Sequence, residues 1–73
     1  MEIKQIIFDE LHKVTKKNFN LDTNVKELNI DSLDLAMLVV DLENKFNITI
    51  SDEELMSIQQ IKDIINLVEK NLN

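Results

Sequence analysis

The stretch Leu28-Asn29-Ile30-Asp31-Ser32-Leu33-Asp34-Leu35-Ala36-Met37-Leu38-Val39-Val40-Asp41-Leu42-Glu43-Asn44-Lys45-Phe46 decides the fold. Leu35, Leu38, Val39, Leu42 and Phe46 stand at i, i+3, i+4, i+7 and i+11. That spacing predicts an amphipathic helix over about 32–46 with one inward stripe. Leu33, Ala36, Met37 and Val40 make a second apolar stripe beside it, and across 33–45 only Asp34, Asp41, Glu43, Asn44 and Lys45 are polar. A helix so apolar is either buried nearly all round or presents apolar surface to something. The second stripe therefore either widens the core or forms a docking face rimmed by Asp34, Asp41, Glu53 and Glu54. Methionine suits adaptable contacts.

Working outward, Ile3, Ile6, Ile7, Leu11 and Val14 predict a first helix from residue 2 to about 17. Lys16 and Lys17 would complement its dipole at the end. Phe8 lies off this stripe and has no evident place. Residues 18–31 keep no period and are rich in turn-type asparagine and aspartate. They read as a long ordered loop pinned by Phe19, Leu21, Val25, Leu28 and Ile30, with one helical turn near Val25–Leu28. Such a loop in a small domain is often functional. After Phe46 the pattern breaks. Ser51-Asp52-Glu53-Glu54 then matches a capping box, opening a short third helix over about 52–57 anchored by Leu55 and Ile58. Ile61, Ile64, Ile65, Val68 and Leu72 predict a fourth helix over about 60–71.

Glycine and proline are both absent. Tight hairpins favour glycine-containing turns, and helices here have few breakers to resist. The expected fold is all-α: a four-helix bundle with a short third helix and a long loop between the first two, one domain over 1–73.

Composition narrows the function classes. A chain of 73 residues buries only about 60% of its unfolded surface, so a deep catalytic cleft would be costly. The absence of cysteine excludes disulfides and thiolate metal sites. No apolar run approaches the ~20 residues of a membrane span, and the start lacks signal-peptide character. A cytoplasmic monomer is expected. Net charge is −6, and its placement matters more than its size. Residues 1–21 carry +1, residues 22–54 carry −7 and residues 55–73 are neutral. A nucleic-acid or anionic-membrane binder would show the opposite sign. The acidic middle is either a solvated surface or a patch that steers basic partners toward Ser32.

Catalysis by the chain itself is not expected. His12 is the only histidine and reads as a surface residue beside Lys13. No Gly-x-Ser-x-Gly surrounds Ser32, no glycine can build a phosphate-cradling loop, and Asp31 and Asp34 lack calcium-loop spacing. No metal ligands are expected. Ser32 has two readings. Either it or Asp31 caps the second helix, or its hydroxyl is a handle for covalent attachment. A phosphodiester there would lie at a helix N-terminus, where free amides and the dipole favour an anion.

These residues resemble the acyl carrier protein family. Leu28-Asn29-Ile30-Asp31-Ser32-Leu33-Asp34-Leu35 is similar to its attachment segment. Leu42-Glu43-Asn44-Lys45-Phe46 and Ile50-Ser51-Asp52-Glu53-Glu54 follow the family pattern at the same spacing. The resemblance covers essentially the whole chain. It implies a carrier without catalytic residues. Ser32 would receive 4'-phosphopantetheine from coenzyme A through a phosphopantetheinyl transferase, with Asp31 shaping the helix start and serving transferase recognition. The arm's thiol would hold acyl groups as thioesters for enzymes of fatty acid or related lipid synthesis.

The resemblance further implies that Leu33, Asp34, Ala36, Met37, Val40, Asp41, Glu53 and Glu54 meet basic docking patches on acyl-transfer and chain-elongation enzymes. Leu42, Phe46, Ile50 and Ile58 would line an acyl pocket. Asn29 replaces a glycine usual three residues before the serine, and asparagine tolerates the left-handed backbone such a turn needs. Ser51 replaces a proline, Met37 and Met56 stand where acids are common, and Lys45 adds a positive charge. These departures thin the acidity of the docking face. They keep open a specialised carrier of a polyketide-like or aminoacyl-loading pathway. From another class, an unmodified helical adaptor working through the second helix is the rival.

Overall fold

A computed structural model describes residues 2–72. Helices α1 (Ile3–Val14), α2 (Ser32–Phe46), α3 (Asp52–Met56) and α4 (Ile61–Leu72) follow one another, with a 3-10 turn at Val25–Leu28 inside the long first connection. The three longer helices pack on each other pairwise, and the chain is helical with the short third member expected from the capping box. The core comprises Ile7 and Leu11 of α1, Val25 and Leu28 of the turn, Leu38, Val39, Leu42 and Phe46 of α2, Ile58, and Ile61, Ile64 and Val68 of α4. The three longer helices thus bury the centres of the stripes their spacing marked, Ile3, Ile6 and Val14 of α1 being half-buried and α3 burying no residue completely. Leu35 and Ile65 are only half-buried and Leu72 is exposed.

α1 stops at Val14, earlier than the sequence suggests. Thr15 turns extended (φ −143°, ψ 144°), although its N–H still reaches Leu11 O. Its hydroxyl then accepts the Lys17 N–H at 3.2 Å. This local side-chain acceptor competes with continuation of the helix. Lys16 and Lys17 consequently lie beyond the last turn, which holds His12 and Lys13 instead.

Phe8 fastens the loop to α1. Its ring meets Phe19 edge-on at 4.9 Å, the Lys4 ammonium lies 5.6 Å from its centre, and the His12 ring is 4.9 Å from Phe19. The loop is also stitched to the start of α4. Val25 N–H donates to Gln59 O, Ile61 N–H to Thr23 O and Lys62 N–H to Leu21 O, at 2.9–3.0 Å. The first amides of α4 thereby find acceptors in loop carbonyls. Asp63 Oδ2 takes the amides of Gln59 and Gln60. The 3-10 turn has its own cap, with Asn24 Oδ1 accepting Lys26 N–H and Glu27 Oε2 accepting Asn24 N–H.

Asn29 closes that turn in the left-handed region (φ 55°, ψ 33°). The glycine-like turn is kept without glycine, where most other residues would cost about 1–2 kcal/mol. Asn47 does the same after α2 (φ 55°, ψ 50°). Glu43 Oε2 then accepts Ile50 N–H at 2.8 Å and orders the short connection to α3.

One buried charge has no counterpart in the hydrophobic pattern. Glu10 is 3% exposed and its carboxylate lies 3.0 Å from Lys13 Nζ and 3.3 Å from Lys45 Nζ. The second pair ties α1 to α2, so the lysine that breaks the acidity of α2 is matched from within the fold. The hydrogen-bonded Lys13 ammonium holds the Glu10 carboxyl below its ordinary value of 4.5, burial opposes this, and Lys45 adds to the downward pull.

A depressed folded-state value means the unfolded chain binds the proton more readily. The stabilisation is complete above pH 4.5 and fades as pH falls through the lower folded value. Glu10→Gln is expected to cost about 1 kcal/mol at neutral pH, the upper end for pairs whose lysines remain solvated. That deficit should vanish in acid. Thermal melts of both proteins through this range check it, and a deficit that persists unchanged in acid would contradict it.

Candidate functional site

Ser32 is the first residue of α2, on its exposed end. Asp31 occupies the N-cap position in extended backbone (φ −71°, ψ 156°), but its side chain makes no capping bond. The first amide bonded back is that of Leu35, to Asp31 O at 2.9 Å. The amides of Ser32, Leu33 and Asp34 therefore have no backbone acceptor among the described residues. The question posed by the sequence, whether Asp31 or Ser32 supplies the cap, has the answer that neither side chain does.

The other two serines differ. Ser51 Oγ accepts Glu54 N–H at 3.2 Å and donates to Glu54 Oε1 at 3.1 Å, completing the capping box of α3. Ser57 Oγ donates to Glu54 O at 2.7 Å. Both hydroxyls hold α3 together. Among the described residues the Ser32 hydroxyl is the only serine oxygen without a partner.

Ser32 opens on a cavity of about 290 Å³. Its walls are apolar: Val25 and Ile30 from the loop, Leu35 from α2, Leu55 and Met56 from α3, and Ile58. Lys26 is the one charged residue in the lining. Of the expected pocket residues only Ile58 belongs to this cavity. Leu42 and Phe46 are closed into the core and Ile50 is half-buried. Leu42 lies ten residues beyond Ser32, about 15 Å along the helix, so the lining sits nearer the start of α2 than expected. The loop and α3 create it, and no periodic signal in either segment announces the arrangement.

The second stripe of α2 is surface, not extra core. Leu33, Met37 and Val40 are 68%, 59% and 52% exposed, and Ala36 is half-buried among them. Ala36, Met37, Val40 and Asp41 line a shallow groove of about 220 Å³. Asp41 and Glu53 are exposed and Asp34 half-exposed, so an acidic rim accompanies the stripe. Glu54 departs from its expected place in that rim. Its carboxylate accepts the Ser51 N–H at 3.1 Å and the Asn71 side-chain amide at 3.2 Å, and it pairs with Lys70 at 3.7 Å. The Ser51 amide first, and Asn71 next, hold its carboxyl below the ordinary range. That charge is committed to the α3 cap and to α4.

A phosphodiester-linked arm fits this setting. The hydroxyl is accessible, three unbonded amides lie at the helix start, and an apolar cavity adjoins them. No cluster of three or more potential metal-ligating side chains occurs among the described residues, and no helix there is long and apolar enough to cross a membrane.

Comparison with known proteins agrees with the geometry. The family model for the phosphopantetheine attachment site matches residues 2–68. An acyl carrier protein homolog from Mycoplasmopsis pulmonis is 47% identical over 70 residues, covering 96% of each chain. The acyl carrier protein of Coprothermobacter proteolyticus is 36% identical over 72 residues, covering 97% of this chain and 87% of that one. The crystal structure of an acyl carrier protein from Thermotoga maritima superposes with a TM-score of 0.81 at 32% identity, spanning 99% of this chain and 92% of that one. Attachment-site match, near-complete coverage and shared fold together make this chain a member of the acyl carrier protein family, non-catalytic carriers whose cofactor is phosphopantetheine.

Proposed function

We propose that Ser32 is the attachment serine and that the chain, as a single cytoplasmic and monomeric carrier domain, holds acyl intermediates for enzymes of fatty acid or related lipid synthesis. One observation carries the assignment: Ser32 has the only unpartnered serine hydroxyl among the described residues, at an uncapped helix start beside an apolar cavity. In loading, Ser32 Oγ forms a bond to the proximal phosphorus of coenzyme A. The phosphoanhydride bond to adenosine bisphosphate breaks, and the hydroxyl proton leaves to a base of the transferase. Once bound, the arm supplies a thiol that carries acyl groups as thioesters.

The remaining roles belong to this chain's own residues. Asp31 keeps the helix start open, because it fills the cap position without taking up the first amides. It is also a recognition point for the transferase. The free amides favour the negative charge that attachment brings. Leu33, Ala36, Met37 and Val40 form an apolar contact strip, while Asp34, Asp41 and Glu53 steer basic partner surfaces onto it. The cavity at Leu35 and Ile58 shelters the first carbons of a cargo, at about 0.8 kcal/mol per buried methylene.

Loading by a fatty-acid malonyl transferase tests the pathway. The phosphopantetheinylated protein, incubated with malonyl-coenzyme A and that transferase, should gain the malonyl mass on intact-mass measurement. Failure to load malonyl, with ready loading by an aminoacyl- or polyketide-type enzyme, would overturn the lipid assignment in favour of a specialised carrier.

A further inference from the structure

We propose that Lys26 is a positioning residue of this site: its ammonium pairs with the phosphodiester joined to Ser32 and orients the arm over the apolar cavity. The inference rests on the reading of Ser32 as the attachment serine, and extends it to a residue outside the attachment segment.

Residues 22–54 hold nine carboxylates and two lysines, Lys26 and Lys45. Lys45 is committed to the buried Glu10. Lys26 makes no ion pair and its ammonium no hydrogen bond among the described residues, although Asp31 and Asp34 flank Ser32 nearby in sequence. The adjacent Glu27 is occupied by the cap of the 3-10 turn, and its carbonyl accepts Lys17 Nζ. The one free cation of the acidic segment therefore lines the cavity on which Ser32 opens.

The backbone at Lys26 is fixed. Its N–H is held by Asn24 Oδ1 at 2.9 Å, and its carbonyl accepts the Asn29 N–H at 3.3 Å. The left-handed Asn29 then reverses the chain and brings Ser32 to the same cavity. The backbone is anchored while the exposed side chain remains free to seek an anion. Attachment places one beside it: a phosphodiester in a region otherwise crowded with carboxylates. The free amides of α2 face the same charge, so Lys26 acts with them. Its separate contribution is direction, drawing the arm toward the 3-10 turn and the cavity mouth and away from the exposed strip of α2.

The test uses apo and phosphopantetheinylated forms of wild type, Lys26→Met and Lys26→Arg. Lys26 is exposed, so all three should fold, and the apo melting temperatures should agree. The shift in melting temperature on attachment is expected to be smaller in Lys26→Met by about 1–5 °C, the effect of one partly solvated ion pair in a domain of this size. Lys26→Arg should restore it. The phosphorus-31 resonance of the arm should move in Lys26→Met, and the difference between wild type and Lys26→Met should shrink in high salt. Equal attachment shifts and an unmoved phosphorus resonance in a fully loaded Lys26→Met protein would overturn the proposal while leaving Ser32 in place. A wild type that never gains the arm would instead overturn the Ser32 reading on which it rests.

Discussion

Ser32→Ala is expected to gain no mass when incubated with coenzyme A and a broad-specificity phosphopantetheinyl transferase, under conditions where the wild type is converted completely. The loss should be total because no other serine hydroxyl is both unpartnered and at the start of a long helix among the described residues. Ser51 and Ser57 are bonded to Glu54 and hold α3 in place. The variant should nevertheless keep its fold. Ser32 is exposed and makes no capping bond, so its replacement falls in the class of surface changes within about 0.5 kcal/mol. Intact mass and a thermal melt on the same sample separate the two effects. A mass gain in Ser32→Ala would place the attachment elsewhere. An unfolded Ser32→Ala would show that the hydroxyl has a structural duty absent from the account above.

Leu42→Ala carries the largest expected effect on stability. Leu42 is 0% exposed and lies in the continuous core with Ile7, Leu11, Ile61 and Ile64. Truncating a buried leucine removes its transfer energy and leaves a cavity, at about 2–5 kcal/mol. A domain of this length holds only about 4–11 kcal/mol in total, so a large part of the molecule's stability should disappear. Denaturant unfolding should show a lowered midpoint with an unchanged slope. Met37→Ala on the neighbouring stripe is the matched control. Met37 is 59% exposed, and its loss should move stability by no more than about 0.5 kcal/mol. Similar losses in the two variants would mean that the strip of α2 is core after all, and would remove the docking face.

The contrast between Leu42 and Met37 also shows what periodicity can and cannot reveal. Both stripes of α2 are apolar at helical spacing, and spacing alone leaves open whether the second one widens the core or stays on the surface. Packing decides, because α1 and α4 cover one side only. Where the local signal is strong, the sequence suffices. α2 begins at Ser32 and ends at Phe46 as its pattern requires, with Asn47 turning left-handed to stop it. The serine–glutamate pair of Ser51 and Glu54 opens α3 as a capping box should. The turn at Val25–Leu28 falls where the loop residues placed it.

Most of what escaped the sequence is non-local. The loop is fixed by backbone bonds from Thr23 and Leu21 carbonyls to the start of α4, and backbone groups carry no residue-specific signature. The cavity beside Ser32 follows from that docking. Its lining of Val25, Ile30 and Leu55 could not be inferred from α2, and the candidates drawn from further along that helix lie mostly in the core. The burial of Glu10 has no signature in the hydrophobic pattern. Lys13 on the same helix and Lys45 approaching from α2 together make its burial tolerable, because a buried charge requires a partner. Lys16 and Lys17 suit a helix end, but α1 stops before them because the Thr15 hydroxyl offers Lys17 N–H a competing acceptor. Ser32 stands out as the candidate attachment serine from its neighbours in sequence, while Lys26, the cation proposed to steer the arm, becomes visible only because it and Ser32 share a cavity.

The central claim is that Ser32 bears the arm. Site-resolved mass spectrometry of the wild-type protein, loaded by a phosphopantetheinyl transferase and then digested, tests it most directly. The phosphopantetheine mass is expected on the peptide containing Ser32, with the peptides containing Ser51 and Ser57 unmodified. Arm mass on either of those peptides, or on none, would contradict it.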